Sequence, residues 1–333
     1  MKKPIDFVVT WVDGNDDVWQ KQKAAYTAGG SESYVGVTRY RDWGLMRYWF
    51  RGVERFAPWV NKVYFVTCGQ TPKWLNTEHP KLKLVSHEEF MPASALPTFN
   101  SNAIELGIHR LEGLSEQFVL FNDDVFLINH IKPSMFFMNG LPCDYAALGM
   151  FYPGSEFQHV ILNDLLLINE NFSKKRCMRE NARKWFSFRH PDDAFKNILL
   201  YFLGNQCFPA IMNYHNAIPY RKSEFEEMWE RFPEKLNETV HHRFRCYEDY
   251  SHFLIRYWRL ASGQFYPILP GYSVNTRIEG DNVSKIADMI AQQKKSEICI
   301  NDHYTGRNFK KVRARLQQAF EQILPDPSSY EKG

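Results

Sequence analysis

No two of the six cysteines form a CxxC pair; they are scattered from Cys68 to Cys299. That spacing argues against a disulfide framework or a zinc site and suits reduced thiols in a cytosolic protein. Also missing is any run near the roughly 18 uninterrupted apolar residues of a membrane span. The longest candidate, 198–208, is too short and contains Gly204-Asn205-Gln206. There is no long basic block, and 41 basic against 38 acidic residues leave a formal net charge of only +3. Nucleic acid is therefore not an expected partner. Lys2 and Lys3 precede a strand-like run broken by Asp6, which does not read as a signal peptide. The sequons at Asn171, Asn237 and Asn282 are accordingly expected to be accidental. Internal repeats and low-complexity segments are lacking too.

What the chain does have is size and apolar content. Its 333 residues, 44% apolar and 16% aromatic, suffice for one large α/β domain or one with a sizeable insertion. Ile5 to Val12 reads as a buried strand closed by the acidic turn Asp13-Gly14-Asn15-Asp16-Asp17. Such a turn could grip a nucleotide, or be an ordinary solvated turn. Residues 18–37, with Gly29-Gly30-Ser31, read as a loop. Helical spacing follows over 39–56, where Arg47 and Arg51 share a face and could reach an anion. Strands are expected at 63–67, at 82–85 and at Phe118-Val119-Leu120-Phe121. Between the last two, a helix is expected behind Thr98, Asn100 and Ser101, with Asn102 and Glu105 at capping-box spacing. Its start offers free N–H groups to an anion.

Asn122-Asp123-Asp124 ends the Phe118 strand. It could be a turn between hairpin strands 118–121 and 125–128, or a carboxylate pair at a ligand-facing sheet edge. The strand–helix–strand–strand–helix–strand order favours the second, because parallel strands need crossovers and bind ligands beyond their carboxyl ends.

From about residue 130 helices dominate, over 158–170, 176–187, 192–204, 223–231 and 247–261. His215 sits in a non-helical loop running to Pro219, and could be structural or catalytic. Glu248 and Asp249 read as acids at a helix start. Ile298 to Asp302 again closes a short apolar run with Asn-Asp, and 309–324 is an amphipathic basic helix. That helix is expected either to pack or to touch a membrane or an assembly partner. The expected organisation is an α/β half at 1–130, a mainly helical part at 131–305 and a C-terminal helix and tail at 306–333.

Four blocks together resemble the Stealth family of sugar-phosphate transferases: IDFVVTWVDGND (5–16), the stretch from RYRDWGL through PTFNSNAIELG to FVLFNDDVFL, the segment around NYHNAIPYRK and HHRFRCYED, and CIND (299–302). The resemblance implies a glycosyltransferase-A-like, Rossmann-like nucleotide-sugar fold with a helical addition. It implies transfer of a hexose-1-phosphate or N-acetylhexosamine-1-phosphate from a nucleoside-diphosphate sugar, expected to be UDP-linked, to a saccharide hydroxyl during capsule or exopolysaccharide synthesis. Matched to the family pattern, Asp123 and Asp124 are the essential acidic pair, His215 the base and Arg245 an arginine needed for activity. Mg²⁺ or Mn²⁺ is expected on Asp123 and Asp124, with Asp302. Asp13, Gly14, Asn100, Ser101 and Arg47 are expected to meet the donor. The implied location is cytoplasmic, at the inner face of a bacterial membrane. Two rivals share these residues or this composition: a metal-dependent glycosyltransferase attacking the anomeric carbon, and a non-catalytic carbohydrate-binding protein.

Overall fold

A computed structural model describes residues 3–27, 40–152, 154, 157–186, 191–203, 205–268 and 271–332. Within them β1 (Ile5–Thr10) is flanked on one side by β2 (Val63–Thr67) and β3 (Leu82–Ser86), and on the other by β4 (Gln117–Phe121), all parallel. The order 3-2-1-4 is that of a doubly wound sheet, with its switch point between β1 and β4. The uninterrupted apolar runs are explained by burial on both faces. Phe7, Val9, Phe65, Val119 and Phe121 enter one core, while Val8, Tyr64, Val66, Phe118 and Leu120 enter the other. Asp6, fully buried, takes Asn61 Nδ2, Lys62 N and Ser115 N at 2.7–3.1 Å and ties loops beneath the sheet.

The Asn122–Asp124 turn is not a hairpin. Beyond it β5 (Val125–Leu127) leaves the first sheet and pairs antiparallel with β11 (Glu297–Asp302). In turn β11 lies parallel to β10 (Ser273–Ile278). Ile300 N donates to Asp124 O at 2.8 Å, so the CIND run is laid directly against the acidic pair.

Helix α1 (Asp17–Thr27) replaces the first part of the loop expected at 18–37; Asp16 Oδ1 accepts Trp19 N at 2.7 Å and so opens the helix. Gly29-Gly30-Ser31 and Arg39 lie outside the described residues. Helix α2 (Met46–Phe56) packs Trp49, Phe50, Val53 and Phe56 on the first core. Next, α3 (Ser101–Gly107) starts two residues earlier than a box led by Asn102 would allow, since Asn100 is its cap and accepts Asn102 N at 3.1 Å.

Among the described residues the second half carries most of the helices and six of the strands. β6 (Phe137–Met138) and β7 (Leu141–Asp144) are followed by α4 (Phe157–Asn171), α5 (Lys174–Glu180), α6 (Ala182–Trp185) and α7 (Pro191–Phe202). The single helix expected at 176–187 is divided at Asn181. Then β8 (Ile218–Arg221) pairs antiparallel with β4, so residues from beyond 130 complete the first sheet. Helices α8 (Lys222–Arg231), α9 (Pro233–His241) and α10 (His252–Ser262) follow. The start expected at 247 moves to 252, where Ser251 Oγ accepts Phe253 N. Gly263, at φ +74°, ends α10 in the left-handed region open to glycine. β9 (Tyr266–Pro267), α11 (Val283–Gln292) and α12 (Phe309–Ile323) complete the chain. On α12 the apolar stripe Val312, Leu316, Ala319, Phe320 and Ile323 is buried, so that helix packs. Arg51 clamps the tail behind it, donating Nε and Nη2 to Glu331 at 2.7 and 3.1 Å and Nη1 to Leu324 O at 2.9 Å.

Candidate active site

The cleft lies where a doubly wound sheet places one. About 350 Å³ in volume, it is lined by Thr10, Trp11 and Val12 at the end of β1, Cys68 after β2, His87 after β3, and Asn122, Asp123 and Asp124 after β4. It is large enough for part of a nucleotide sugar. His215, Arg245, Ser101, Asn301 and Asp302 join the same lining, with Trp19, Tyr40 and Trp43 as aromatic walls.

His215 is held between two strand ends. Its Nε2 lies 3.0 Å from Asn122 Nδ2 and 3.4 Å from Asp124 Oδ1, and its Nδ1 lies 3.4 Å from Asn301 Nδ2. A neutral imidazole accepts at one nitrogen only, so just one amide donates to it, and the shorter Asn122 contact is the stronger. Two buried arginines fix the loop from behind. Arg256 Nη1 donates to Met212 O and Asn213 Oδ1 at 3.0 and 2.8 Å, while Arg259 Nη1 donates to Pro219 O at 2.7 Å. Both arginines also donate to Asp144, at 2.9 and 2.5 Å. Burial alone would raise the Asp144 carboxyl, but Arg256 and Arg259 hold it below its ordinary value.

Arg245 comes from the loop between α9 and α10. Its guanidinium donates to Ser101 Oγ and sits 5.6 Å over the Phe157 ring. Asp249, fully buried, anchors that loop: its Oδ2 accepts from Asn100 Nδ2 and Asn102 Nδ2, and its Oδ1 lies 2.8 Å from His242 Nδ1. Asp249 is thus a loop anchor and not a helix-start acid. His242, Cys246 and Asp249 form one of two groups among the described residues that could hold a metal ion.

The other group is Asp124, His215 and Cys299. Asp124 Oδ1 is buried with no hydrogen-bond partner, and Oδ2 is approached by Asn301 Nδ2 at 3.3 Å and Cys299 Sγ at 3.5 Å. Asp123 reaches water through the cleft mouth but is otherwise walled by protein. Its carboxyl is pushed up to about 7, first by those surroundings and then by Asp124, Asp42 and Glu105. Burial pushes Glu105 up to about 7 also. Carboxylates that repel one another around an unpaired buried oxygen fit a divalent cation, which would relieve both costs.

Not every expected residue arrives. Asp302 lines the cleft but is engaged, accepting from Trp43 Nε1 at 3.1 Å and pairing with Arg41 at 3.4 Å. Asn100 is buried beneath the cleft lining as cap and loop anchor. Asp13 and Gly14 stand outside the lining: the Asp13 carboxylate accepts Asn15 N, and Gly14 is packed so tightly that a Cβ there would come 1.8 Å from Tyr40 O. Arg47 points away to Glu331, at 3.7 Å, and over Trp74, because α2 turns that face to the C-terminal tail. Sequence reasoning missed Asn122 and Asn301 as partners of the histidine, although each adjoins a singled-out aspartate. It also missed the part played by Asp42 and Glu105, which lie inside the quoted blocks but were read there only as family pattern and as capping-box spacing, and it missed Asp144, for which neither spacing nor motif gave a signal.

One buried carboxyl behind the His215 loop makes a testable pH effect. Glu297 Oε1 accepts Ser273 Oγ at 2.7 Å and Ala217 N at 3.3 Å, its other oxygen is buried unpaired, and burial pushes it up to about 8. Its folded value exceeds the unfolded one, about 4.3, so its contribution is full below that and is lost as pH rises through about 8. Tm is expected to fall between pH 6 and 9, and Glu297→Gln should flatten that fall in a thermal melt series.

A doubly wound sheet carrying an acidic pair, an imidazole and a guanidinium around one switch-point cleft defines an α/β enzyme. The comparisons agree: regions described as Stealth protein conserved regions 1, 2 and 3 match residues 3–31, 39–143 and 214–257. The chain is 40% identical over 98% of both chains to the capsular polysaccharide phosphotransferase WcwK of Streptococcus pneumoniae. It is 40% identical to the exopolysaccharide phosphotransferase cps2G of Lactiplantibacillus plantarum (98% and 96% covered) and 39% to the receptor polysaccharide phosphotransferase WefC of Streptococcus gordonii (99% and 100%). A solved structure of the bifunctional glycosyltransferase WbbM aligns with 97% of this chain and 52% of its own, at 13% identity and a TM-score of 0.36. The chain belongs to the Stealth family.

Proposed function

We propose that the chain transfers a sugar 1-phosphate from a nucleoside-diphosphate sugar to a saccharide hydroxyl in surface polysaccharide synthesis. The observation that carries this is the convergence of Asp123, Asp124, His215 and Arg245 on one cleft; the names of the full-length relatives support it. His215 Nε2, exchanging its hydrogen bond from Asn122 for the acceptor hydroxyl, takes the proton of that hydroxyl as a general base would. The acceptor oxygen forms a bond to the β-phosphorus, the bond from that phosphorus to the bridging diphosphate oxygen breaks, and a nucleoside monophosphate leaves. The anomeric C–O bond is untouched, so its configuration is kept. Arg245 offsets charge on the transferring phosphoryl oxygens, and Ser101 holds its guanidinium in place. Asp123 and Asp124 would hold Mg²⁺ or Mn²⁺, which supplies charge neutralisation to the diphosphate. Trp19, Tyr40 and Trp43 offer stacking surface to the donor.

Glycosyl transfer would use the same cleft but expel a nucleoside diphosphate. The ³¹P NMR spectrum of the purified product decides: a phosphodiester resonance is expected, and a phosphorus-free product would refute phosphotransfer. Removing divalent cation with chelator is expected to stop turnover, and adding back Mg²⁺ or Mn²⁺ to restore it.

A further inference from the structure

The amphipathic C-terminal helix spends its apolar face inside the molecule, but α7 does not. Its inward stripe is fixed: Ala194 and Asn197 are buried, and Asn197 accepts Leu148 N at 2.7 Å while donating to Ala146 O and Trp185 O at 2.9 and 2.6 Å. The helix therefore cannot roll to hide its other side. That side carries Phe195, Ile198, Leu199 and Phe202 at the i, i+3, i+4 and i+7 positions of one face. Phe195 and Phe202 are 69% and 71% exposed. Met150, two residues beyond the Leu148 contact, is exposed as well. A single exposed leucine needs no explanation, but a continuous aromatic and aliphatic helix face does.

The neighbouring chain gives the sign of what covers it. Lys174, at the start of α5, donates Nζ to Leu200 O and Leu203 O at the carboxyl end of α7, so α5 abuts that helix. Of the six basic side chains over 174–184, Lys174 and Lys184 are spent on backbone carbonyls, which leaves Lys175, Arg176, Arg179 and Arg183 against one acid, Glu180, that Arg176 engages at 2.9 Å. Arg179 and Arg183 are exposed. An apolar helix face beside a basic shelf matches a bilayer with anionic headgroups: aromatic side chains enter the acyl boundary while arginines stay among phosphates. A second copy of the chain fits less well, because an isologous contact would bring this basic shelf up against its own image.

We infer that α7 and the α5–α6 shelf dock the protein on the surface of an anionic lipid bilayer. The surface is separate from the proposed chemistry, and its test needs no donor or acceptor. Purified full-length protein is floated with vesicles of phosphatidylglycerol and phosphatidylcholine, or of phosphatidylcholine alone. Flotation with the anionic vesicles is expected, weaker with the neutral ones and weakened by 0.5 M salt, since screening shortens the reach of the arginines. The F195D/F202D double variant should lose at least about tenfold in bound fraction, and R179E/R183E several-fold, with thermal melts like the wild type. Wild-type protein that stays unbound to anionic vesicles overturns the inference, as does an F195D/F202D variant that floats equally well. A wild-type dimer that the same double variant converts to monomer in sedimentation velocity would also overturn it, assigning the face to a second copy.

Discussion

Asp124→Asn is expected to lower kcat by about three orders of magnitude or more while the protein stays folded. The substitution keeps the side chain's shape, so Asn301 and Cys299 keep a neighbour, but it removes the charge beside His215 and half of the acidic pair. Because the buried Oδ1 has no hydrogen bond to lose, the stability change should be small, and the melt of the variant should stay close to wild type. His215→Ala tests the other side of the cleft. Losing a general base typically costs 10²–10⁴-fold, or about 3–5 kcal/mol of barrier. Turnover in either purified variant within tenfold of wild type would remove that residue from the mechanism.

The second large effect is on stability. Asp144→Ala leaves two guanidiniums, those of Arg256 and Arg259, buried with most of their negative partner gone; Glu224 Oε2, 3.3 Å from Arg259 Nη1, is the remaining anion. Breaking a buried ionic cluster by removing one partner costs about 3–5 kcal/mol, which corresponds to a Tm fall of roughly 4–7 °C for a chain of 333 residues. Since the same two arginines grip Met212, Asn213 and Pro219, the His215 loop should loosen too. Hydrogen exchange over 212–219 is expected to speed up in the variant more than exchange in β1 does. A melt within about 2 °C of wild type would show that the cluster does not hold the loop. Because Asp144 is held below its ordinary value, its contribution persists above the unfolded carboxylate range and is lost as pH falls through the folded value.

The central sheet was legible because burial on both faces writes an apolar run, as in β1, β2 and β4, while β3 at the sheet edge is only partly buried and carries Lys83 within its apolar residues. The acidic pair was legible for the same reason: a strand that ends in Asn-Asp-Asp puts those residues at the sheet edge. What could not be read was the second sheet. The run 125–127 looks like the return of a hairpin, and only its pairing with Ile298 and Cys299 shows otherwise. That pairing joins residues some 170 positions apart, which no local pattern encodes, and it is what brings Asn301 to His215. Arg47 misled for a related reason. Its face of α2 has the spacing of an exposed cationic stripe, but the partner is Glu331, supplied by the far end of the chain. Asp144 is a lone acid inside an apolar segment, and nothing in Leu141-Pro142-Cys143-Asp144 announces the two arginines of α10 that complete it.

The bond that breaks is the heart of the matter. A donor carrying ¹⁸O in the oxygen between the anomeric carbon and the β-phosphorus reports it in one turnover. Phosphotransfer predicts that the label travels with the sugar into the product, still joined to phosphorus, while the released nucleoside monophosphate carries none. Recovery of the label in a released nucleoside diphosphate, with an unlabelled glycosidic product, would contradict the assignment of His215, Arg245 and the Asp123–Asp124 pair to attack at phosphorus.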